Sequence, residues 1–331
     1  MVLLDRGNFE HWQAPAPNIT KVLAPYKIYG LAEQLLLPLK LWRLRPDLVH
    51  FLHNVPISYR GRRVVVVHDT TMVDFDLAPA GRLKALKYRV KRWAMLLAFR
   101  ATASADMVVV PSKATKERLL VLLKGRLEAA RITVIYEAID HPAPKVRALD
   151  TARPTLLYVG TLFPFKNVGA ILEAMSELVR RRPDVRLRII GSTPRFNQSL
   201  HDQVERLGLG ASVELAGFVS EAEKMKAYRA ATLFIFPSLS EGFGLPPLEA
   251  MGQGLPVLAA QASALPEVLA GGADYFDPHD PKDLAKRVDE LLGDPKRLTE
   301  LQRRGFERLG NFSWRRMAEQ TLEVYNRVRS S

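Results

Sequence analysis

Residues 236–251 read Phe-Pro-Ser-Leu-Ser-Glu-Gly-Phe-Gly-Leu-Pro-Pro-Leu-Glu-Ala-Met. The run leaves an apolar strand, crosses a glycine loop and enters a helix opened by prolines. It sets two carboxylates eight positions apart, Glu241 in the loop and Glu249 in the helix. Gly242 and Gly244 let a backbone approach closely, and the N–H groups around Phe243 and Leu245 at the helix start favour an anion. A carboxylate beside a phosphate is electrostatically awkward unless it binds hydroxyls. The combination therefore suits a ligand that carries both phosphate and hydroxyl groups. Taken alone, the two acids read equally as a solvated loop acid and a helix N-terminal acid favoured by the macrodipole.

Three further runs carry polar groups at strand ends. Tyr158-Val-Gly160-Thr-Leu-Phe-Pro-Phe-Lys166-Asn167 ends a strand in Gly160 and sets a lysine just beyond it. Val64-Val-Val-Val-His68-Asp69 places a histidine where α/β proteins gather their polar groups. Val49-His50-Phe-Leu-His53-Asn54 ends another strand. His53, Asn54 and Asp69 are candidates to line a cleft, and His50 reads as structural. Asp74-Phe75-Asp76 spells a metal–diphosphate pattern, but three-residue patterns arise by chance and no neighbouring motif supports this one. It reads as no metal site.

The elements that must position these groups are clearest after residue 150. Apolar runs at 154–160, 185–191, 212–216, 233–236 and 256–260 alternate with helical patterns at 168–182, 198–207, 220–230, 281–292 and 313–328. Ser220 with Glu223 three residues on predicts a capping box. Strand–helix alternation at this spacing implies a parallel sheet with helices on both faces, and ligands then bind beyond the carboxyl ends of the strands. Before residue 150 the pattern is less regular. Fully apolar runs at 48–52, 64–67, 107–110 and 132–135 predict buried parallel strands. A helix is predicted over about 80–103. The opening forty residues hold only Gly7 and Gly30, so this half reads as short of one strand–turn–helix unit. A proline-bearing linker over 142–153 joins the halves. No GxGxxG or P-loop pattern occurs.

At 331 residues, with 47% apolar and 25% charged side chains, the chain is long enough for two soluble domains. It has no cysteine, which excludes disulfides, thiolate metal sites and a thiol nucleophile. Residues 1–150 hold 24 Lys and Arg against 13 Asp and Glu; residues 151–331 hold 24 against 22. The basic first half calls for an anionic partner. Residues 80–103 carry Arg82, Lys84, Lys87, Arg89, Lys91, Arg92 and Arg100 without an acid. With Trp93 and Phe99 this segment suits an anionic membrane surface, and equally a core-packing helix with a solvated basic face. No nucleic-acid-binding module is present, so nucleic acid is not expected as a partner. The start, MVLLDR, lacks a signal-peptide pattern, and no apolar window is long enough to span a bilayer. A cytoplasmic protein, peripheral at most to the inner membrane face, is expected.

The 236–251 run resembles the donor signature of the retaining GT-B glycosyltransferases of the group 1, family 4-like type. The Gly160–Asn167 run, Gly254-Leu-Pro256-Val257, Leu265-Pro266-Glu267-Val268 and Phe312-Ser313-Trp314 are similar to segments at the family's matching positions. The likeness covers essentially all of 150–331 and extends more weakly back to about residue 31. It implies an α/β GT-B fold, two Rossmann-like doubly wound domains facing across a cleft. Residues 1–145 would take the acceptor, 146–312 the nucleoside-diphosphate sugar, and 313–331 would form a helix crossing back to the first domain. Glu241 would contact the sugar hydroxyls, Glu249 the ribose, and Lys166 would neutralise the leaving diphosphate. Gly160, Gly242, Phe243, Gly244 and Leu245 would frame the donor. His68 resembles the family's histidine near the anomeric carbon. The implied reaction moves a hexosyl unit of mannose, glucose or rhamnose type to a glycan or lipid-linked acceptor, with retention and with neither cofactor nor obligatory metal. Phe165 stands where the family often has arginine, and Thr161 where some members carry a basic residue, so one phosphate contact must come from elsewhere. With its opening unit short, the chain also fits a weakly catalytic partner subunit that only holds the nucleotide sugar. An epimerase on the same fold is a third reading.

Overall fold

The computed structural model describes residues 1–26, 30–53, 58–78, 81–140 and 146–330. Asn54 and the linker prolines Pro142 and Pro144 lie outside the described residues. The strands are β1 (Val2–Leu4), β2 (Lys21–Leu23), β3 (Val49–Phe51), β4 (Arg63–Val66), β5 (Met107–Val110), β6 (Ile132–Val134), β7 (Thr155–Val159), β8 (Arg186–Ile190), β9 (Val213–Gly217), β10 (Leu233–Phe236), β11 (Val257–Ala260) and β12 (Asp274–Phe276).

The second half forms a six-stranded parallel sheet ordered β12-β11-β10-β7-β8-β9. Because β7 pairs with both β8 and β10, the chain winds outward in opposite directions from this central pair. Right-handed crossovers then put helices on both faces, as the alternating sequence pattern requires. Every residue of β10 and β11 is buried, which explains their unbroken apolar runs. The predicted capping box at Ser220 is formed: its hydroxyl accepts from Glu223 N–H, and the Glu223 carboxylate accepts from Ser220 N–H at 3.0 Å. Strand β12 and the helix Pro295–Leu309 were not anticipated by the periodicity.

The first half is built differently. Strands β3-β4-β5-β6 run in order and in parallel, while β1 and β2 pair only with each other. A sheet laid down in one direction places its crossover helices on one face. Register confirms it: Phe51, Val65 and Val108 are partners across β3, β4 and β5 and share one core cluster with Leu41, Phe99, Leu119 and Leu123. Those four belong to the helices Leu31–Leu44, Arg82–Ala101 and Lys113–Leu123. The opposite face, with Val64, Met107 and Val109, is covered by Val324 and Val328 of the last helix, Trp314–Ser330. The stretch before β3 contains two strands and the helices Arg6–His11 and Leu31–Leu44, with Gly7 inside the first helix and Asp5 capping it.

Candidate active site between the halves

The outward winding from β7 and β10 opens a crevice above their carboxyl ends, and both of the strongest sequence runs leave there. Gly160 follows β7, and a short 3-10 turn, Pro164–Lys166, ends in the lysine. The Lys166 ammonium meets Glu241 Oε1 at 2.5 Å, the two side chains being only 17% and 12% exposed. Lys166 Nζ also lies 5.5 Å from the Phe165 ring centre and 5.7 Å from that of Phe236. Asn167 turns the chain in the left-handed region at φ 56 and ties it down by donating to the Pro278 carbonyl at 2.8 Å. Gly160 also lies against Gly191 at the end of β8: a Cβ on Gly191 would stand 1.7 Å from the Gly160 carbonyl oxygen. Gly191 was visible only as a glycine closing an apolar run.

Glu249 lies in the second turn of the helix Leu245–Gly252. Its Oε2 accepts from the Tyr228 hydroxyl at 3.0 Å and is 3.3 Å from the Lys224 ammonium. Tyr228 is fully buried, and burial together with the Glu249 charge pushes its phenol well up. Each glutamate is thus held by a lysine. Both lysines satisfy a carboxylate and retain further N–H donors for an anion. Gly244, at φ +102, leads the chain into the helix, and a Cβ there would meet Leu265 at 2.8 Å. Phe243 is 3% exposed and packs with Tyr136 and Phe312, at ring distances of 5.9 and 5.5 Å, so its side chain is core.

Gly242 is where the halves touch. A Cβ on it would stand 1.7 Å from the His68 carbonyl oxygen, and its own carbonyl accepts from Ser112 Oγ at 2.7 Å and Thr115 Oγ1 at 3.2 Å. The close backbone approach that the glycine permits is therefore an approach to the other half of the same chain. Glu267 makes a second bond across the cleft. Its carboxylate accepts from Lys113 N–H at 2.8 Å, Ala114 N–H at 3.0 Å and the Tyr136 hydroxyl at 2.9 Å, capping the helix Lys113–Leu123 from the opposite half. Its only sequence signal was the Leu-Pro-Glu-Val run.

His68 has both ring nitrogens engaged: Nδ1 with Glu137 Oε1 at 2.9 Å and Nε2 with the Leu52 carbonyl at 3.1 Å. A carbonyl only accepts, so Nε2 carries a proton. The Glu137 carboxylate raises the imidazole above its ordinary value against the opposing effect of burial. The His53 ring lies 5.8 Å away, and burial and the His68 charge lower it. His50 bonds the Tyr325 hydroxyl of the last helix at 2.6 Å. Glu137 was missed because it stands past the end of β6 and its partner, His68, is far away in sequence.

Asp69 accepts from Thr71 N–H at 2.8 Å, shaping the turn into the short helix Thr71–Asp74. Asp74 takes the Arg118 guanidinium and the Thr70 hydroxyl, while Asp76 faces Arg92 at 3.8 Å. The two carboxylates serve separate cations. Among the described residues no cluster of three or more His, Asp or Glu is placed to hold a metal ion. A cleft of about 550 Å³ opens between the halves, lined by Thr70, Phe75, Thr115, Arg118, Ser240 and Glu241. A cavity of about 600 Å³ lies at the opposite end of the second sheet, near Thr155, Arg186 and Ser212. It lies on the side of the sheet where ligands do not gather.

Comparison with known proteins places this geometry. Residues 141–308 match the family described as Glycosyl transferases group 1, and residues 6–142 match Glycosyltransferase Family 4. The chain is 31% identical over 305 residues to a D-inositol 3-phosphate glycosyltransferase of Kineococcus radiotolerans, covering 83% of this chain and 67% of that protein. It is 31% identical over 205 residues to the serotype-specific mannosyltransferase WbdA of Escherichia coli, covering 59% of this chain and 25% of that protein. It therefore spans only a fraction of some relatives it matches. Among solved structures, Anabaena Alr3699/HepE in complex with UDP and glucose superposes with a TM-score of 0.73 at 20% identity, over 93% of this chain and 86% of that one. Sucrose-phosphate synthase from Thermosynechococcus elongatus superposes at 0.72 with 22% identity, over 89% and 76%. These likenesses establish the GT-B fold expected from the sequence. With sequence, family match and fold in agreement, the chain belongs to the group 1 glycosyltransferases.

Proposed function

We propose that the chain moves a hexosyl unit of mannose, glucose or rhamnose type from a nucleoside-diphosphate sugar to an acceptor hydroxyl, with retention, in the synthesis of cell-surface polysaccharide or glycolipid. The observation that carries this reading is the Lys166–Glu241 pair above the junction of β7 and β10, with Glu249 held by Tyr228 and Lys224 on the adjoining helix. In this reading residues 146–312 take the donor. Glu241 binds sugar hydroxyls, Glu249 the ribose, and Lys166 exchanges its carboxylate partner for the diphosphate, whose charge grows as the glycosidic bond breaks. N–H groups from Phe243 to Leu245 add to that stabilisation, and Gly160 and Gly242 border the donor where the chain packs most closely. Two relatives named for transfer to an inositol phosphate and for mannosyl transfer, and a neighbour solved with UDP and glucose, support the donor class.

Residues 1–145 take the acceptor. His68, held by Glu137 and the Leu52 carbonyl, stands near the transferred sugar, and His53 and Asp69 border the acceptor side. The basic helix Arg82–Ala101 brings this half to an anionic membrane surface at the cytoplasmic face. No metal or cofactor is assigned a role. A second reading, a nucleotide-sugar-binding partner subunit, draws support from the start of the first half, where β1 runs through Asp5 straight into a helix without a glycine turn.

A thermal-shift series with UDP-, GDP- and TDP-sugars tests the donor site. Ligand that binds only the native state raises the melting point by mass action. One nucleotide sugar is expected to do so, with the shift abolished in Glu241→Ala and Glu249→Ala. A shift equal in the wild type and both variants would remove the two glutamates from the site. A glutamate-dependent shift without transfer to any acceptor would favour the binding-subunit reading, and donor isomerised without acceptor would mark an epimerase.

A further inference from the structure

Two helices of the first half carry apolar side chains on the side turned away from their sheet. Leu41 and Phe99 anchor Leu31–Leu44 and Arg82–Ala101 in the same core cluster, on one sheet face. On the outer side of Leu31–Leu44 stand Leu35, Leu39 and Trp42, at spacing i, i+4, i+7, with Trp42 71% exposed. On the outer side of Arg82–Ala101 stand Leu83, Leu86, Val90 and Trp93, at i, i+3, i+7, i+10, with Trp93 64% exposed. Such spacing keeps each set on one stripe. In the second helix, Lys84, Lys87 and Lys91 follow one edge of the stripe and Arg82, Arg89 and Arg100 the other, and the helix contains no acid.

The charge selects the occupant. A second copy of this surface would set one acid-free basic helix against another, and like charges facing across an interface are strongly disfavoured. An apolar stripe edged by cations matches a layer that is apolar inside and anionic at its surface, and tryptophan settles at that boundary. We propose that the outer faces of Leu31–Leu44 and Arg82–Ala101 together form one docking surface for an anionic lipid bilayer, with Trp42 and Trp93 seated at headgroup level. This deepens the one-helix membrane contact put forward above and is independent of the transfer chemistry. The surface adjoins the cleft: Leu77 N–H donates to the Tyr88 hydroxyl at 2.9 Å, Arg92 donates to the Val73 carbonyl at 2.9 Å, and Arg195 of the other half donates to the Leu77 and Ala78 carbonyls. A lipid-linked acceptor held at the bilayer would reach the cleft past the Arg82 end of the helix.

The test is flotation of the full chain with vesicles of phosphatidylcholine, alone or mixed with phosphatidylglycerol, in the absence of any sugar nucleotide. Binding only to the mixed vesicles, weakened by salt, is expected. Leu39→Ser with Trp42→Ser, and Leu86→Ser with Trp93→Ser, should each lower the partition about tenfold. Lys87→Gln should lower it about fivefold. Brominated lipid should quench the protein's tryptophan emission, and Trp42→Phe with Trp93→Phe should remove most of that quenching without disturbing the fold. Wild type that floats with neither vesicle overturns the proposal. An unchanged partition after the Leu39 and Trp42 substitutions removes the first helix from the surface. A dimer in light scattering that these substitutions dissociate makes the occupant a second copy of the chain. None of these outcomes depends on whether the chain transfers a sugar.

Discussion

The two halves solve the same packing problem with different completeness. In the second half the strand order reverses at β7 and β10, so helices cover both sheet faces and a crevice follows from the topology alone. In the first half β3 to β6 run in one direction, so the chain's own crossovers cover one face only. The other face is completed by a helix from the far end of the chain, through Val324 and Val328. The covering helices leave Leu35, Trp42, Leu83, Leu86, Val90 and Trp93 outward, whereas the second half exposes few side chains of that kind, chiefly Phe218, Trp314 and Leu322. The excess positive charge falls on the same first half. A complete sheet makes a site from its own winding; an incomplete one gains surfaces that need cover, some of it from elsewhere in the chain.

The comparison is most sharply broken at the crevice. Lys166→Ala removes the cation held against Glu241 and should lower kcat by about 10²–10³-fold, the scale for losing a group that stabilises a developing oxyanion. Because the two side chains form one unit, the double variant with Glu241→Ala should lose much less than the product of the single losses. Multiplicative losses in a steady-state assay would mean that the pair seen here does not act together. Gly242→Ala attacks the contact between halves instead. Its Cβ would overlap the His68 carbonyl, a backbone atom that cannot swing away, so the halves must part. Misplacement by about 1 Å can cost about 100-fold in turnover. The variant should keep its nucleotide-induced thermal shift while losing transfer; loss of both would locate the damage in the donor half itself.

How much of this was legible follows the same division. The runs around Gly160 and Glu241 could be read because the crevice lies at the ends of two buried strands, and the apolar runs announce those strands. Ser220 with Glu223 was legible for a similar reason, since a cap is local. Glu137, Glu267 and Gly191 were not. Each acts on a group far away in sequence: Glu137 on His68, Glu267 on Lys113 and Ala114, Gly191 on Gly160. No local pattern encodes such pairs. The outward stripe of Leu31–Leu44 was hidden for a different reason. A helix apolar on both sides reads as core until the sheet face it covers is known.

Smaller effects separate the two halves' means of cohesion. Val324 is 1% exposed against Val64 and Val109, so Val324→Ala should cost roughly 2 kcal/mol of stability in urea unfolding. The loss should fall on the first half, whose sheet face this helix covers. An unfolding curve in which the second half melts first would show that the last helix belongs energetically to the half that precedes it. Glu267→Gln keeps the shape of the clamp and removes its charge from the start of the helix Lys113–Leu123. About 0.5–1 kcal/mol is expected, from the helix dipole and the weakened hydrogen bonds. The effect should appear in KM for the acceptor rather than for the donor, because Lys113 and Ala114 lie in the acceptor half.

The smallest effect concerns protons on the first half. Glu137 raises His68, so the folded state holds that proton to higher pH than the unfolded chain does, whose imidazoles titrate near 6.5. The stability this contributes is fully present below about pH 6.5 and fades as pH rises through the folded value. His50 and His53 have the opposite sign: burial first and the His68 charge second lower them. Their contribution is present above about pH 6.5 and is lost as pH falls toward their folded values. Imidazole resonances followed by NMR should therefore split, His68 titrating above 6.5 and the other two below. Glu137→Gln should bring His68 down and let His53 and His50 move up, because the charge that lowers them weakens with it. A wild-type His68 that titrates below its neighbours would mean that the Glu137 contact is not an ion pair in solution.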